Sequence, residues 1–564
     1  MINIPKTAEE VADSMKEISV SQFFEKNKHL LGFDNPTKAL MMAVKEAVDN
    51  SLDAAQDAGI LPDITVKIKQ LAEDRYRVSV QDNGPGIVKE NVGRVFGKLL
   101  YGSKFFLWRQ SRGQQGIGIS SVVLYSYLTT GEPARITVKT EKEKKGHYFE
   151  LHVNTAKNEP DIIKQEDVEP KFDHGVLIEI DLKGRYRKTV EDYLKQTSIA
   201  NPYAKIIFQG PDGTKITYPR STNTLPPEAK EMKPHPYGVE FGNLQKMIIM
   251  TQSRTLQSFL VNEFSSVGAQ TAKEICKVAK IESDTKPQSL DRKQIDALLT
   301  AIQKVKIQRP PTDCLIPIDT KDLEKSLKSE FPNTEFYTVR SRNPEVYRGF
   351  PFMIEVGIVY GGQLPPNEPI QLIRFANRVP LLYQAGACAT AEAVKEVDWK
   401  RYGLQQSTNS LPVGPMVLVI HMASVWVPFV SESKEAIAPY PEIVEEMKLA
   451  LQDAGRELSR YLSGRRRAGE AKRRFLIFER YSTEVAESLS ELTGKKKDDL
   501  EKKLKAMIKT KVSFEDTEEG AEAEVKTEGD KKTVPKKDEV VQEKKKETKK
   551  EGKTETKNEV KKEK

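Results

Sequence analysis

The sequence predicts an α+β, multidomain chain. Three features lead there. At 564 residues the chain is too long for one ordinary domain. Its first 228 residues mix helical and strand periodicities without regular βαβ alternation. The character of the chain then changes twice, just past Pro226-Pro227 and again at Pro310-Pro311. Hydrophobic residues make up 38%, enough for several real cores, even though 30% are charged.

Taken in order, residues 39–59 predict a helix, with Val44, Val48 and Leu52 on one face at four-residue spacing. Two alternating strands follow, Ile64-Val66-Ile68 and Tyr76-Val78-Val80, with further strand signals at 136–138, 149–153 and 177–180. This mixture predicts helices on one side of a mostly antiparallel sheet. Residues 229–308 read as a small helical segment with a turn at Ser265-Ser266-Val267-Gly268. After Pro311 the α/β character returns, with strand signals at 353–357, 370–375 and 416–421. A long helix is expected over 440–492, and residues 495–511 are Lys-rich with helical character. Beyond Phe514 there is no aromatic residue and no Leu, Ile or Met, so composition predicts a charged, disordered tail.

The net charge is +8, whereas residues 515–564 are nearly balanced, with 15 Lys against 16 Asp or Glu. The excess positive charge therefore sits before the tail. It suits a polyanionic partner, but it is also what an ordinary charged surface carries. Cys276, Cys314 and Cys388 are scattered and odd in number, which argues against a disulfide framework or zinc site and fits a reducing cytoplasm. The opening residues have no apolar signal-peptide core, and no window approaches 18 apolar residues. No membrane association is expected.

Three motifs carry chemistry. The first is Glu46-Ala-Val-Asp49-Asn50-Ser-Leu-Asp53, which puts Glu46, Asn50 and Asp53 on one helix face. A hydrolytic ATP site needs a carboxylate to orient or deprotonate water, which suits Glu46. It also needs a hard oxygen ligand for Mg²⁺, which suits Asn50. A solvated helix face has the same pattern. The second motif, Asp82-Asn83-Gly84-Pro85-Gly86, ends a strand. Its glycines let backbone approach a ligand, and Asp82 can accept a hydrogen bond from an exocyclic amine such as adenine's. A plain Asn-Gly turn reads the same way. The third motif runs Arg112-Gly113-Gln114-Gln115-Gly116-Ile117-Gly118-Ile119-Ser120 into the apolar stretch 122–124. A Gly-rich loop feeding a helix start offers backbone N–H groups to phosphates. It is neither a Walker A loop nor a Rossmann fingerprint.

In their order and spacing the three motifs resemble the N-box and two glycine boxes of the GHKL superfamily, which includes gyrase B, Hsp90-type chaperones, histidine kinases and MutL. That resemblance implies a Bergerat-fold ATPase sandwich with ATP and Mg²⁺ as cofactors. It implies Glu46 as catalytic base, Asn50 as Mg²⁺ ligand, Asp82 with Gly84 and Gly86 at adenine, residues 113–120 as the lid over the phosphates, and Arg112 before the lid as a further ATP contact. Ser103 and Lys104 match a nucleotide-contacting stretch before the lid. One departure is His174-Gly175-Val176, where gyrase-like relatives carry Gly-Thr.

Histidine kinases need a phosphoacceptor His, typically followed by an acidic residue, and none of the six His here has one. The remainder of the chain resembles the topoisomerase VI B family. Val425 to Ala438, containing Lys434, is similar to that family's switch-lysine loop, in which the lysine reaches the γ-phosphate from a second domain. Asp398-Trp399-Lys400-Arg401-Tyr402 is similar to its Trp-Lys-x-Tyr DNA-contacting loop. Arg374 to Tyr383 also reads like the transducer. Arg465, Arg466 and Arg467 on the long helix suit phosphate contacts, or an ordinary basic face. The resemblance implies an N-terminal strap over 1–20, an ATPase domain over 21–228 and a helix–two-turns–helix insertion over 229–308. A ribosomal protein S5-like α/β transducer domain with its long C-terminal helix then covers 309–494, before the tail at 495–564. It also implies ATP-driven homodimerisation, a DNA-cleaving topoisomerase VI A protein as partner in an A2B2 heterotetramer, and double-stranded DNA as substrate. A MutL-like repair ATPase and an Hsp90-like clamp are the alternatives.

Overall fold

The computed structural model describes residues 12, 15 and 17–511, except 106, 114 and 432. The proposed strap and the tail beyond residue 511 thus fall largely or wholly outside the described residues. Two compact units emerge, Met1–Leu458 and Ser459–Lys564.

The first unit opens with a short helix α1 (Val20–Lys26), capped by Ser19. Helix α2 (Pro36–Asp57) follows. Asn35 caps it by accepting from the Lys38 N–H, and Pro36 supplies a preset φ at the first helical position. Val44, Val48 and Leu52 are fully buried, as their spacing predicts. Lys45, Asp49 and Asp53 on the other side are largely buried too, so α2 runs through the interior rather than along the surface.

An eight-stranded sheet lies beside it, in the order β5-β4-β3-β6-β2-β1-β7-β8. Its strands are β1 (Asp63–Ala72), β2 (Arg75–Gln81), β3 (Ala134–Lys139), β4 (Gly146–Asn154), β5 (Glu159–Val168), β6 (Gly175–Lys183), β7 (Lys205–Gln209) and β8 (Lys215–Tyr218). Only the β1–β7 pair is parallel. Alternate residues of β2, β3 and β4 are buried, which is the signature of a sheet covered on one face. Helices α2, α3 (Lys89–Gly97), α4 (Gly118–Thr130) and α5 (Thr189–Ala200) supply the cover. β5 is the exception, exposed along nearly all of its length.

Helices α6 (Phe241–Met250), α7 (Leu256–Glu263), α8 (Ala269–Ala279) and α9 (Arg292–Lys304) form a small helical body around their own core, with Leu244, Phe259, Leu260, Ile275 and Leu298 at its centre. The expected turn at 265–268 joins α7 to α8, with Ser266 left-handed at φ 59°.

The second sheet follows α10 (Thr320–Glu330) and contains β9 (Phe336–Ser341), β10 (Glu345–Tyr347), β11 (Phe350–Tyr360), β12 (Gln371–Ala376), β13 (Val379–Pro380) and β14 (Met416–Ser424). All nine residues of β14 are buried, so it is a central strand. Ile199 and Ala200, at the end of α5, join the core of this sheet beside Ile373, Phe375 and Val419. Helix α11 (Ala389–Glu396) leads into the turn at 399–402. The long helix α12 (Pro441–Thr493) begins in this unit, where Arg342 binds its Glu446 at 2.6 Å and its Asp453 at 3.2 Å.

In the second unit, the remainder of α12 is followed by α13 (Lys497–Lys511). Lys497 pairs with Glu487 at 2.9 Å and Thr483 bonds Glu501 at 3.1 Å. Among the described residues, no helix is long and apolar enough to cross a membrane.

Candidate active site

A cavity of about 680 Å³ opens between α2, the turn after β2 and the Gly-rich segment that leads into α4. That volume suits a ligand of nucleotide size. Helical spacing brings Glu46, Asn50 and Asp53 of α2 to its wall. Asp82, Gly86, Ser103, Lys104, Gly113, Gln115, Gly116, Ile117, Gly118, Ile119 and Lys434 also line it. Gly84 serves from behind, donating its N–H to Asp82. Gln114 lies outside the described residues.

Glu46 sits in a cationic setting. Lys45 Nζ lies 3.2 Å from its Oε1 and 3.1 Å from Asp49 Oδ2, and the Tyr193 hydroxyl donates to Asp49 at 2.8 Å. Burial acts to raise the Glu46 pKa. The ammonium groups of Lys45 and Lys434 outweigh it and hold the carboxyl below its ordinary value. The carboxylate also rests against the start of α4, where a Cβ on Gly118 would collide with Glu46 Oε2. Glycine at 118 is therefore a matter of space.

Asp82 is buried at the end of β2. Its Oδ1 accepts from the N–H groups of Gly84 at 2.9 Å and Val176 at 3.1 Å, and its Oδ2 from the Ser51 hydroxyl at 2.8 Å. Burial raises its pKa, and these donors only partly offset that. Gly86 has φ +75°, and a side chain there would strike the Lys139 carbonyl. The departure at residues 174–176 becomes intelligible here. Val176 supports Asp82 through its backbone, and His174 Nδ1 lies 2.7 Å from the Gly84 carbonyl.

Asp53 gathers Lys104 at 2.9 Å and Arg112 at 2.7 Å, and these cations hold its carboxyl low against the opposing effect of burial. Arg112 corrects an expectation. Its guanidinium is buried and does not line the cavity, being taken up by Asp53, Gln56, Asn201 and Tyr203. What it offers the site is its carbonyl, which accepts from Lys434 Nζ at 2.9 Å. Burial lowers the Lys434 pKa, with Glu46 acting in the opposite direction. Lys434 is left-handed at φ 53°, and the adjacent Glu435 forms an ion pair with Lys38 of α2.

The proposed DNA contacts fall into two places. Lys400 and Arg401 are exposed, Arg401 pairing with Asp398 at 3.0 Å. Trp399 is a correction: its indole is fully buried and its Nε1 donates to the Val394 carbonyl at 2.9 Å. The apolar ring anchors the turn from within, with the half-buried Tyr402 set edge-on to it, and only the two cations face outward. Arg465, Arg466 and Arg467 are exposed on the long helix.

The helix-backed antiparallel sheet and this cavity define an ATP-binding protein of the GHKL ATPase class. Residues 35–157 match the family model described as histidine kinase-, DNA gyrase B-, and HSP90-like ATPase. Residues 310–474 match that of the topoisomerase VI B subunit transducer. The chain is 48% identical over 456 residues to the B subunit of type 2 DNA topoisomerase 6 from Archaeoglobus fulgidus, covering 80% of this chain and 75% of that protein. It is 46% identical over 492 residues to the protein of the same name from Methanosarcina barkeri, covering 86% and 79%. A more distant likeness is to the B-subunit of DNA gyrase from Myxococcus xanthus, 11% identical with a TM-score of 0.40, covering 78% of this chain and 95% of that one. The chain belongs to the family of type 2 DNA topoisomerase 6 B subunits. That membership sets aside the repair-ATPase and chaperone-clamp alternatives.

Proposed function

We propose that this chain is the ATP-hydrolysing subunit of a type IIB topoisomerase, and that Glu46 polarises the attacking water. The observation that carries the reading is the convergence of Glu46, Asp82, the Gly-rich lid and Lys434 on one cavity, with Lys434 arriving from the second sheet's side of the fold. Asp82 reads the adenine amine. The free N–H groups at the start of α4 face the phosphates. Lys434 exchanges the Arg112 carbonyl for the γ-phosphate when ATP is bound. A Mg²⁺ ion fits Asn50, whose side-chain oxygen is a hard donor on the cavity wall, facing Gly113 of the lid. Bound there, the ion would neutralise charge on the phosphates.

ATP binding then closes two copies into a dimer, with residues 1–20 strapping across the partner. Closure captures a DNA duplex and signals to the topoisomerase VI A protein in an A2B2 assembly, which cuts one duplex and passes another through it. Lys400 and Arg401, and separately Arg465 to Arg467, meet DNA phosphates with their exposed cations. The setting is cytoplasmic, with no membrane.

The deciding experiment is relaxation of supercoiled DNA by this chain with ATP, with and without the cleaving A protein. Relaxation that needs both proteins and ATP is the expected result. ATP-dependent relaxation with no requirement for a second protein would refute the proposal.

A further inference from the structure

The lid has a root, and that root is held from the other side of the fold. Immediately before the Gly-rich segment, Gln110 pairs with residues 314–316: its N–H donates to the Cys314 carbonyl at 3.0 Å, and its side chain bonds both the N–H and the carbonyl of Ile316. The next carbonyl, that of Ser111, accepts from the Asn377 amide at 3.1 Å. The one after, on Arg112, accepts from Lys434. Three consecutive lid-root residues are thus tied to three different parts of the second sheet's surroundings.

Asn377 stands out among these ties. Its amide also donates to the Ser424 carbonyl at 2.9 Å, and its Oδ1 accepts the Ser424 N–H at 2.9 Å. Ser424 is the last residue of β14, where the chain leaves the sheet toward the loop that carries Lys434. Asn377 and Arg378 form the two-residue turn between β12 and β13, with Ala376 paired to Val379. Both are left-handed, at φ 48° and 66°, and both are buried. That conformation suits Asn but is unfavourable for Arg. It is held by its surroundings. The Arg378 N–H donates to His421 Nε2 at 3.0 Å, and its guanidinium donates to the Pro317 carbonyl at 2.7 Å. A strained turn fixed from several sides is characteristic of a place where geometry matters to function.

We propose that Asn377 is a positioning residue for ATP hydrolysis. Its single amide joins the root of the phosphate-facing lid, at Ser111, to the root of the Lys434 loop, at Ser424. The two loops that must close on the same nucleotide are thereby indexed to one another. Asn377 does not line the nucleotide cavity, so it acts through these two segments and not on ATP itself. The inference rests on the proposed roles of Glu46 and Lys434.

Two substitutions in the full chain test it. Asn377→Gly keeps the left-handed turn accessible and removes all three side-chain bonds. Asn377→Asp keeps the acceptor for the Ser424 N–H but sets a carboxylate oxygen against the carbonyls of Ser111 and Ser424. Both should retain affinity for a non-hydrolysable ATP analogue. Both should lose kcat by about ten- to a hundredfold, the scale expected when reacting groups are misplaced by roughly an ångström. In hydrogen exchange, nucleotide should protect residues 111–118 and 425–438 together in the wild type, and the two segments should respond separately in the variants. An unchanged kcat in both variants overturns the proposal. So does a parallel loss of affinity, kcat and melting temperature, which would mark a merely structural turn. Glu46→Ala serves as the control: if it still hydrolyses ATP, the underlying reading of the site has failed, whatever Asn377 does.

Discussion

Replacing Asp82 with Asn separates what this carboxylate does for ATP from what it does for the fold. Its Oδ1 is held by two backbone N–H groups, at 2.9 and 3.1 Å. An amide NH₂ cannot take that place without setting donor against donor. The substituted side chain must therefore keep its oxygen there and turn its NH₂ toward Ser51, whose hydroxyl can rotate to accept. The amide then presents a donor where the adenine amine also presents donors. Loss of a charge-assisted hydrogen bond costs about 1.5–3 kcal/mol. At about 1.4 kcal/mol per decade, ATP binding should weaken by roughly 10- to 150-fold. Stability should move the other way or stay put, because burial already works against the charged form of Asp82. Calorimetric titration with a non-hydrolysable analogue and a thermal melt, run on the same samples, give both numbers. Unchanged nucleotide affinity in a folded Asp82→Asn protein would refute the assignment of Asp82 to adenine.

Three further outcomes are expected. The kcat for ATP hydrolysis should hold steady as pH falls toward the ordinary carboxylate range, about 4.3, because Lys45 and Lys434 keep Glu46 ionised below it. A depressed folded-state pKa also means that the Lys45–Glu46 pair contributes stability above the unfolded value, lost as pH falls through the folded one. An acidic limb that belongs to Glu46 and is centred well above that range would contradict the first statement, and a stability lost well above it would contradict the second. Trp399→Ala should destabilise the chain by about 3–5 kcal/mol in denaturant titrations, as expected for emptying a buried indole site, whereas Lys400→Glu with Arg401→Glu should leave the midpoint unchanged. Those two charge reversals, and separately alanines at Arg465, Arg466 and Arg467, should weaken duplex binding and lower the salt slope of log K by about 0.9 for each phosphate no longer neutralised. An unchanged slope in both sets would remove these residues from the DNA interface.

The sequence was most legible where one physical signal dominated. The four-residue spacing of Val44, Val48 and Leu52 announced a helix because one face meets a core. The strands β1 to β4 and β6 announced themselves through alternation because one side of the sheet is covered. β5 gave no such signal, since nearly all its residues are exposed whichever way they point, and β7 is a five-residue piece too short to show a period. In the site, glycines and carboxylates were visible because their chemistry is local to a motif. Partners distant in sequence were not visible. Ser51 beneath Asp82, Tyr193 behind Asp49 and Asn377 beside Ser111 come together only through the tertiary fold. Trp399 misled for a related reason: an aromatic beside two cations reads as a surface stripe until packing shows which way the ring points.

The exposed strand β5 has a consequence for how the molecule survives at high concentration. It closes one end of the eight-stranded sheet and so leaves a row of backbone groups without a neighbouring strand. Such a row is a template onto which an extended peptide can zip. Glu159, Asp161, Lys164, Glu166 and Asp167 crowd that margin, and a newcomer would have to strip water from them to align. Lys164 further ties to Glu166 at 2.9 Å, and Asp167 to Lys89 at 3.1 Å. The open margin is thereby made a poor template for fibrils. Self-association is steered away from this edge, where joining would be indiscriminate and hard to reverse.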